Sequence, residues 1–246
     1  MRGFADGGGC FPTGQPYPGL AGLIRVHVAG LVTEHDADTP LAELPIVSID
    51  TETTGRDADD DRIVELACVF WKDGKIVGER SWLVNPQRPI PREAFDVHGI
   101  GDDQVRDQPD FAAVAPSILE ALGDCVPLAY NAEFDRRFLI AEMERAGVLA
   151  GDLPPTVRRK TEWIDPLVWA RELQAQERSR ALGDVCQRLG IELTQAHRAT
   201  FDAEAALRVM IAFREDPRVP KTYGDLIRKQ REYARQQDER ARFWRR

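Results

Sequence analysis

The chain has 246 residues, 43% of them hydrophobic, and a formal net charge of −8. That is enough for one main domain with a sizeable core, and no apolar run approaches the roughly 20 residues of a membrane helix. The nearest, 20–32, is interrupted by Arg25 and His27, and the start MRGFADGGGCFPTGQPYPG lacks the charged patch and apolar stretch of a secretory signal.

Residues 1–19 are rich in Gly and Pro and aperiodic, and are expected to be disordered. The stretch 20–40 reads as a short element lying on the main domain, so 1–41 is taken as an N-terminal extension. From Leu44 the pattern sharpens. Ile46 to Asp50 is a β-branched run that suits a buried strand, and Arg62 to Trp71 is a second. Asp73-Gly74 then marks a hairpin turn into a third strand, Ile76 to Val84. Pro109 to Leu122 carries Phe111, Val114, Ile118 and Leu122 at helical spacing. Val126 to Tyr130 is a short strand, and Asn131 to Ala146 a helix stopped by Gly147. Glu162 to Asp165 is a fifth short strand, followed by a helix opening at Pro166, and Ala181 to Leu189 and Thr200 to Arg214 are two more helices. The pattern predicts an α/β domain over 42–216, with a mixed five-stranded central sheet flanked by helices. The remainder, 217–246, reads as a basic helical tail: from Lys221 it holds nine Lys or Arg against four acids.

The four cysteines, Cys10, Cys68, Cys125 and Cys186, show no Cys-x-x-Cys spacing, which speaks against zinc. The last three sit among apolar neighbours, as buried thiols in a reducing, cytoplasmic setting would.

The first strand ends in SIDTETTG. Asp50 and Glu52 alternate with Thr51, so on a strand they share a face. Two buried carboxylates need compensation, and a hard divalent cation such as Mg²⁺ or Mn²⁺ supplies it. The pattern alone is weak, because Asp202-Ala-Glu204 matches it too. In AYNAEFD, Asn131 opens a helix and Asp135 follows four residues later on the same face. Their ordinary roles would be an N-cap and a first-turn acid. In HRATFDAEA, His197 precedes Asp202 by five positions at the start of an Ala-rich helix. His98 and Asp103 share that spacing but lie among short loop elements.

Together and in this order, SIDTETTG, AYNAEFD and HRATFDAEA resemble the DEDDh (DnaQ-like) 3′–5′ exonucleases, the family of bacterial polymerase proofreading subunits. The resemblance covers about 42 to 216, and VHGI, with His98, is similar to the family's segment after the third strand. Arg56, after TETTG, departs from the apolar residue the family often has there.

The resemblance implies an RNase H-like fold and hydrolysis of phosphodiester bonds with two Mg²⁺ or Mn²⁺ ions, which clamp the attacking and leaving oxygens. Asp50, Glu52, Asp135 and Asp202 would hold the ions, Asp50 bridging both. His197, with a near-neutral reference pKa, would take the proton of the attacking water. Thr53, Thr54 and Gly55 would bring backbone donors to the terminal nucleotide, with Asn131 and His98 completing the substrate side. Asn131 also reads as a helix start and His98 as a structural loop residue. Arg136, Arg137, Arg158, Arg159 and Lys160 would form a basic lip, which answers the objection from net charge.

The partner expected is a single-stranded or frayed 3′ end, DNA favoured over RNA. The chain shows no polymerase domain, so proofreading would need a polymerase in trans. An RNA-trimming enzyme and a non-catalytic scaffold of the same fold are the alternatives.

Overall fold

The computed structural model describes residues 29–148, 153–192 and 198–244. Four strands form the sheet: β1 (Ile46–Thr53), β2 (Ile63–Lys72), β3 (Lys75–Leu83) and β4 (Val126–Leu128), in the order β3-β2-β1-β4. β1–β2 and β2–β3 are antiparallel and β1–β4 is parallel. The helices are α1 (Arg92–His98), α2 (Asp102–Val105), α3 (Phe111–Leu122), α4 (Ala132–Arg145), α5 (Pro166–Leu173), α6 (Leu182–Leu189), α7 (Ala199–Phe213) and α8 (Tyr223–Trp244). No described helix is long and apolar enough to cross a membrane.

The expected hairpin forms: Asp73 and Gly74, both at positive φ, join β2 to β3. The fifth strand does not. Where Glu162 to Asp165 was expected to extend the sheet, a single parallel bridge joins Ile164 to Leu128. The Ile164 N–H donates to the Pro127 carbonyl and the Ala129 N–H to the Ile164 carbonyl. The next rung would need an N–H from Pro127 itself, which has none. Beyond the bridge, Asp165 turns to cap α5 and Pro166 begins that helix.

Alternation along β1 divides the core. Val47 and Ile49, both 0% exposed, pack with Leu66, Phe111, Ile118, Phe138 and Leu139 under α3 and α4. Ile46 belongs to the opposite layer, with Trp169 and the α7 residues Ala203, Ala206 and Leu207. Small side chains let α7 lie close to the sheet. Asp50 and Glu52 have the parity of Ile46, so they emerge on the α7 side.

Residues 29–41, in the part of the N-terminal extension expected to lie on the main domain, are packed against it. Leu31, Val32 and Leu41 are core residues, and Thr39 and Ala37 carbonyls accept from the Tyr223 and Gly224 N–H groups. Gly30 has φ +78°, and a Cβ there would run into Arg231, Glu162 and Lys160, so only glycine fits. The C-terminal tail is helical, as α8, and its first turns are packed: Tyr223, Leu226 and Ile227 are buried, while the later turns are more exposed.

Tyr223 Oη accepts the buried Val32 N–H at 3.0 Å. Tyr223→Phe leaves that donor without a partner and is expected to lower unfolding free energy by about 1–3 kcal/mol. A drop in urea midpoint at unchanged m-value checks this.

Candidate active site

Asp50 and Glu52 stand at the end of β1, and Asp202 lies in the first turn of α7. The three offer carboxylate oxygens all within 4.8 Å of one another. Asp135 arrives by a different route. It lies in the first turn of α4, on the other side of β1, and its Oδ1 accepts from Thr51 Oγ1 at 2.8 Å. The intervening Thr51, on the opposite face from Asp50 and Glu52, is thus what ties Asp135 to the strand end.

The electrostatics are adverse to charge. Burial, then repulsion from Asp135, Glu52 and Asp202, pushes Asp50 well above the usual carboxylate range. Glu52 is raised to about 8 by burial and by the charges of Asp202, Glu65 and Asp135. Burial raises Asp135 to about 7 against the lowering effect of its Thr51 hydrogen bonds. Such a set favours protons or a divalent cation at its centre. An all-oxygen, all-anionic donor set fits a hard ion, and Asp50, Glu52 and Asp202 are placed to hold one.

Two residues here received no role from the sequence. Glu65 faces Glu52 directly across the β1–β2 ladder and is 5% exposed. The backbone of Ala199, first residue of α7, hydrogen-bonds to it, while its Oε2 has no partner among the described residues. The signal was available: an acid inside the apolar run IVELACVF. Arg198, the N-cap position of α7, is a cation whose charge acts on both Glu52 and Glu65. His197, its neighbour, lies outside the described residues.

The candidate substrate-side residues border the carboxylates. Thr53, Thr54, Gly55, Arg56, His98 and Phe134 line a cavity of about 440 Å³ beside Glu52. Their hydroxyls are used internally. Thr53 Oγ1 donates to the Gly55 carbonyl at 2.5 Å, and Thr54 Oγ1 donates to Asp61 Oδ1 and accepts the Arg62 N–H. Asp61 lies against Gly55 so closely that a Cβ there would meet its carboxylate. His98 is not in a loop: it ends α1, and its Nδ1 accepts the Ile100 N–H at 3.0 Å. Its ring lies against the Thr53 backbone, and burial lowers its pKa.

Asn131 caps α4 in position only. It sits at φ +68°, and its side chain makes no capping bond. The expected basic lip is largely committed to acids of the protein: Arg136 to Glu133, Arg158 to Glu34 and Arg159 to Glu144. A larger cavity, about 660 Å³, opens near Trp71, Ile191 and Phe201. One of its acids, Glu204, is already paired with Arg208, and it lacks the carboxylate cluster.

A family model described as exonuclease matches residues 47–210. The DNA polymerase III PolC-type of Bacillus cereus is 34% identical over 185 residues, which are 75% of this chain and 12% of that protein. This chain therefore spans about an eighth of the curated relatives' length. Among solved structures, exonuclease X in complex with 5′ overhanging duplex DNA aligns with a TM-score of 0.57 at 28% identity, covering 74% of this chain and 99% of that one. E. coli exonuclease I in complex with a dA16 oligonucleotide has a TM-score of 0.60 at 19% identity, over 71% of this chain and 41% of that one, a likeness of fold.

The raised carboxylates set the pH dependence of the metal-free protein. Glu52 binds its proton up to about pH 8 when folded, and only to about pH 4 when unfolded. The folded state thus holds more protons across that window, so this stability is fully present below about pH 4 and is lost as pH rises to about 8. In EDTA, melting temperature is expected to fall from pH 5 to pH 8. Millimolar Mg²⁺ is expected to reverse most of the fall, and Asp50→Asn to raise the metal-free melting temperature at pH 8 while weakening the response to Mg²⁺.

Proposed function

Because this chain belongs to the exonuclease family, we propose that it is a metal-dependent enzyme that hydrolyses phosphodiester bonds from the 3′ end of single-stranded or frayed DNA. The observation that carries the reading is the convergence of Asp50, Glu52 and Asp202 within 4.8 Å, at the end of the sheet where Thr51 also holds Asp135.

Two divalent cations, Mg²⁺ or Mn²⁺, would supply electrophilic stabilisation of the charge that develops on the phosphate. Asp50, Glu52, Asp135 and Asp202 hold them, and Glu65 supports the start of the helix that carries Asp202. His197 accepts the proton of the attacking water; its neighbour Arg198 stands on the Glu52 side of the cluster. The cavity lined by Thr53, Thr54, Gly55 and His98 receives the terminal nucleoside, the Thr-Thr-Gly turn being held rigid by its own hydrogen bonds. A preformed turn lowers the ordering cost of binding.

DNA is preferred to RNA as substrate because the relatives include DNA polymerases and the exonuclease X structure holds DNA. A proofreading or repair role follows, with a polymerase acting on the same 3′ end as partner. The three described cysteines are free thiols, in keeping with a reducing, cytoplasmic setting.

The test is a time course on 5′-labelled, 3′-tailed DNA and matched RNA with Mg²⁺, Mn²⁺ or EDTA. A ladder shortening from the 3′ end, metal-dependent and faster on DNA, is expected. His197→Ala is expected to cost about 10²–10⁴-fold in turnover, and Asp50→Ala to abolish the ladder. Faster loss of the RNA would replace DNA processing with RNA trimming; binding without cleavage of either would leave the scaffold reading.

A further inference from the structure

Helix α4 brings Asp135 to the cluster, yet its own N-cap residue does not secure it. Asn131 is left-handed, and its side chain caps nothing. That backbone turn aims two successive N–H groups at one point, a concavity suited to an anion. Asp165 fills it. Its Oδ1 accepts from the Asn131 N–H at 3.0 Å and its Oδ2 from the Ala132 N–H at 3.1 Å. Oδ1 also accepts the Leu167 N–H at 2.9 Å, so one carboxylate caps both α4 and its own helix, α5.

Asp165 is itself held from outside the exonuclease-matched region, which ends at residue 210. The side chain of Gln230, on α8 and 5% exposed, accepts the Asp165 backbone N–H through Oε1 at 2.9 Å. The same oxygen accepts from Trp169 Nε1 at 3.2 Å, and Gln230 Nε2 donates to the Trp163 carbonyl at 2.8 Å. Exchanging the amide oxygen and nitrogen would break all three bonds, so the amide sits one way.

We infer that Asp165 is a positioning residue for Asp135, and that Gln230 makes the C-terminal helix part of the active-site framework. The first turn of α4 is gripped at two points: Asp165 holds Asn131 and Ala132, and Thr51 holds Asp135. Loosening the first grip lets α4 shift along its axis and carries the Asp135 carboxylate away from Asp50. The inference deepens the exonuclease reading and rests on it for its activity readout; its metal-binding readout stands apart.

Asp165→Asn keeps the size and a capping oxygen for Leu167 but offers a second N–H group where the concavity needs an acceptor. Mn²⁺ affinity, measured by calorimetry on the full chain, is expected to fall about tenfold or more in this variant. Turnover on 3′-tailed DNA is expected to fall with it, while KM stays nearly constant. Gln230→Leu is expected to move both quantities in the same direction by less, and serves if Asp165→Asn fails to fold. The deciding comparison repeats each substitution in Asp135→Asn protein. There the loss of Mn²⁺ affinity is expected nearly to vanish, because the residue acted upon is gone. An equal loss in both backgrounds, or a lower melting temperature with unchanged Mn²⁺ affinity, overturns the inference. Coupled Mn²⁺ losses in a parent protein that degrades no DNA would support it and overturn the exonuclease reading instead.

Discussion

Repulsion between acids held together at the end of β1 is the constraint around which the rest of the protein is arranged. Asp50 and Glu52 face the α7 layer, Asp202 approaches from α7, and Asp135 comes across from the α4 layer through Thr51. Each disfavours the charge of the others. Mutual repulsion does not draw the carboxylates together, so the convergence is imposed by packing and by the Thr51 hydrogen bond to Asp135. The apolar stretch before it does this: Val47 and Ile49 are sealed against α3 and α4, and Ala203 and Ala206 seat α7 against the other face. The enclosed strand can end on charge because its preceding half is fixed by burial on both sides.

Strain and unmatched polarity occur beside this cluster, as expected where a fold serves a site rather than its own stability. Asn131 adopts a left-handed backbone, Glu65 keeps an oxygen without a described partner, and a bulge interrupts the β1–β2 ladder between Glu52 and Thr53. By contrast Glu142, nearly fully buried, is matched: it accepts from Arg62 and from the Ile63 backbone and so locks β2 to α4.

What the sequence made legible was local chemistry. The strand-ending acids, the Asp-Gly hairpin and the helical spacing from Phe111 to Leu122 each depend on neighbours within one element, and the structure has them in those elements. What escaped depends on partners distant in the chain. The fifth strand looked plausible from Glu162 to Asp165 until Pro127, on the adjacent strand, proved unable to donate the next rung. The order of 29–41 comes from Tyr223, nearly two hundred residues away. Glu65 stood in plain view as an acid within an apolar strand, but its meaning came from the register that sets it opposite Glu52. Asp165 read as a strand end because its bonds go to a helix begun more than thirty residues earlier.

The proline that cut short the fifth strand has a colloidal consequence as well. An open sheet has two borders, and an unsatisfied row of backbone groups on either invites another extended chain to join it. Here one border is closed by Pro127, the single Ile164 bridge and the turn at Asp165. The other, β3, displays Lys75, Glu79 and Arg80 to solvent, charges that deter edge-to-edge stacking. A crowded solution of this protein is therefore guarded against growing its sheet from molecule to molecule, although its core is built from the β-branched strands most given to such growth.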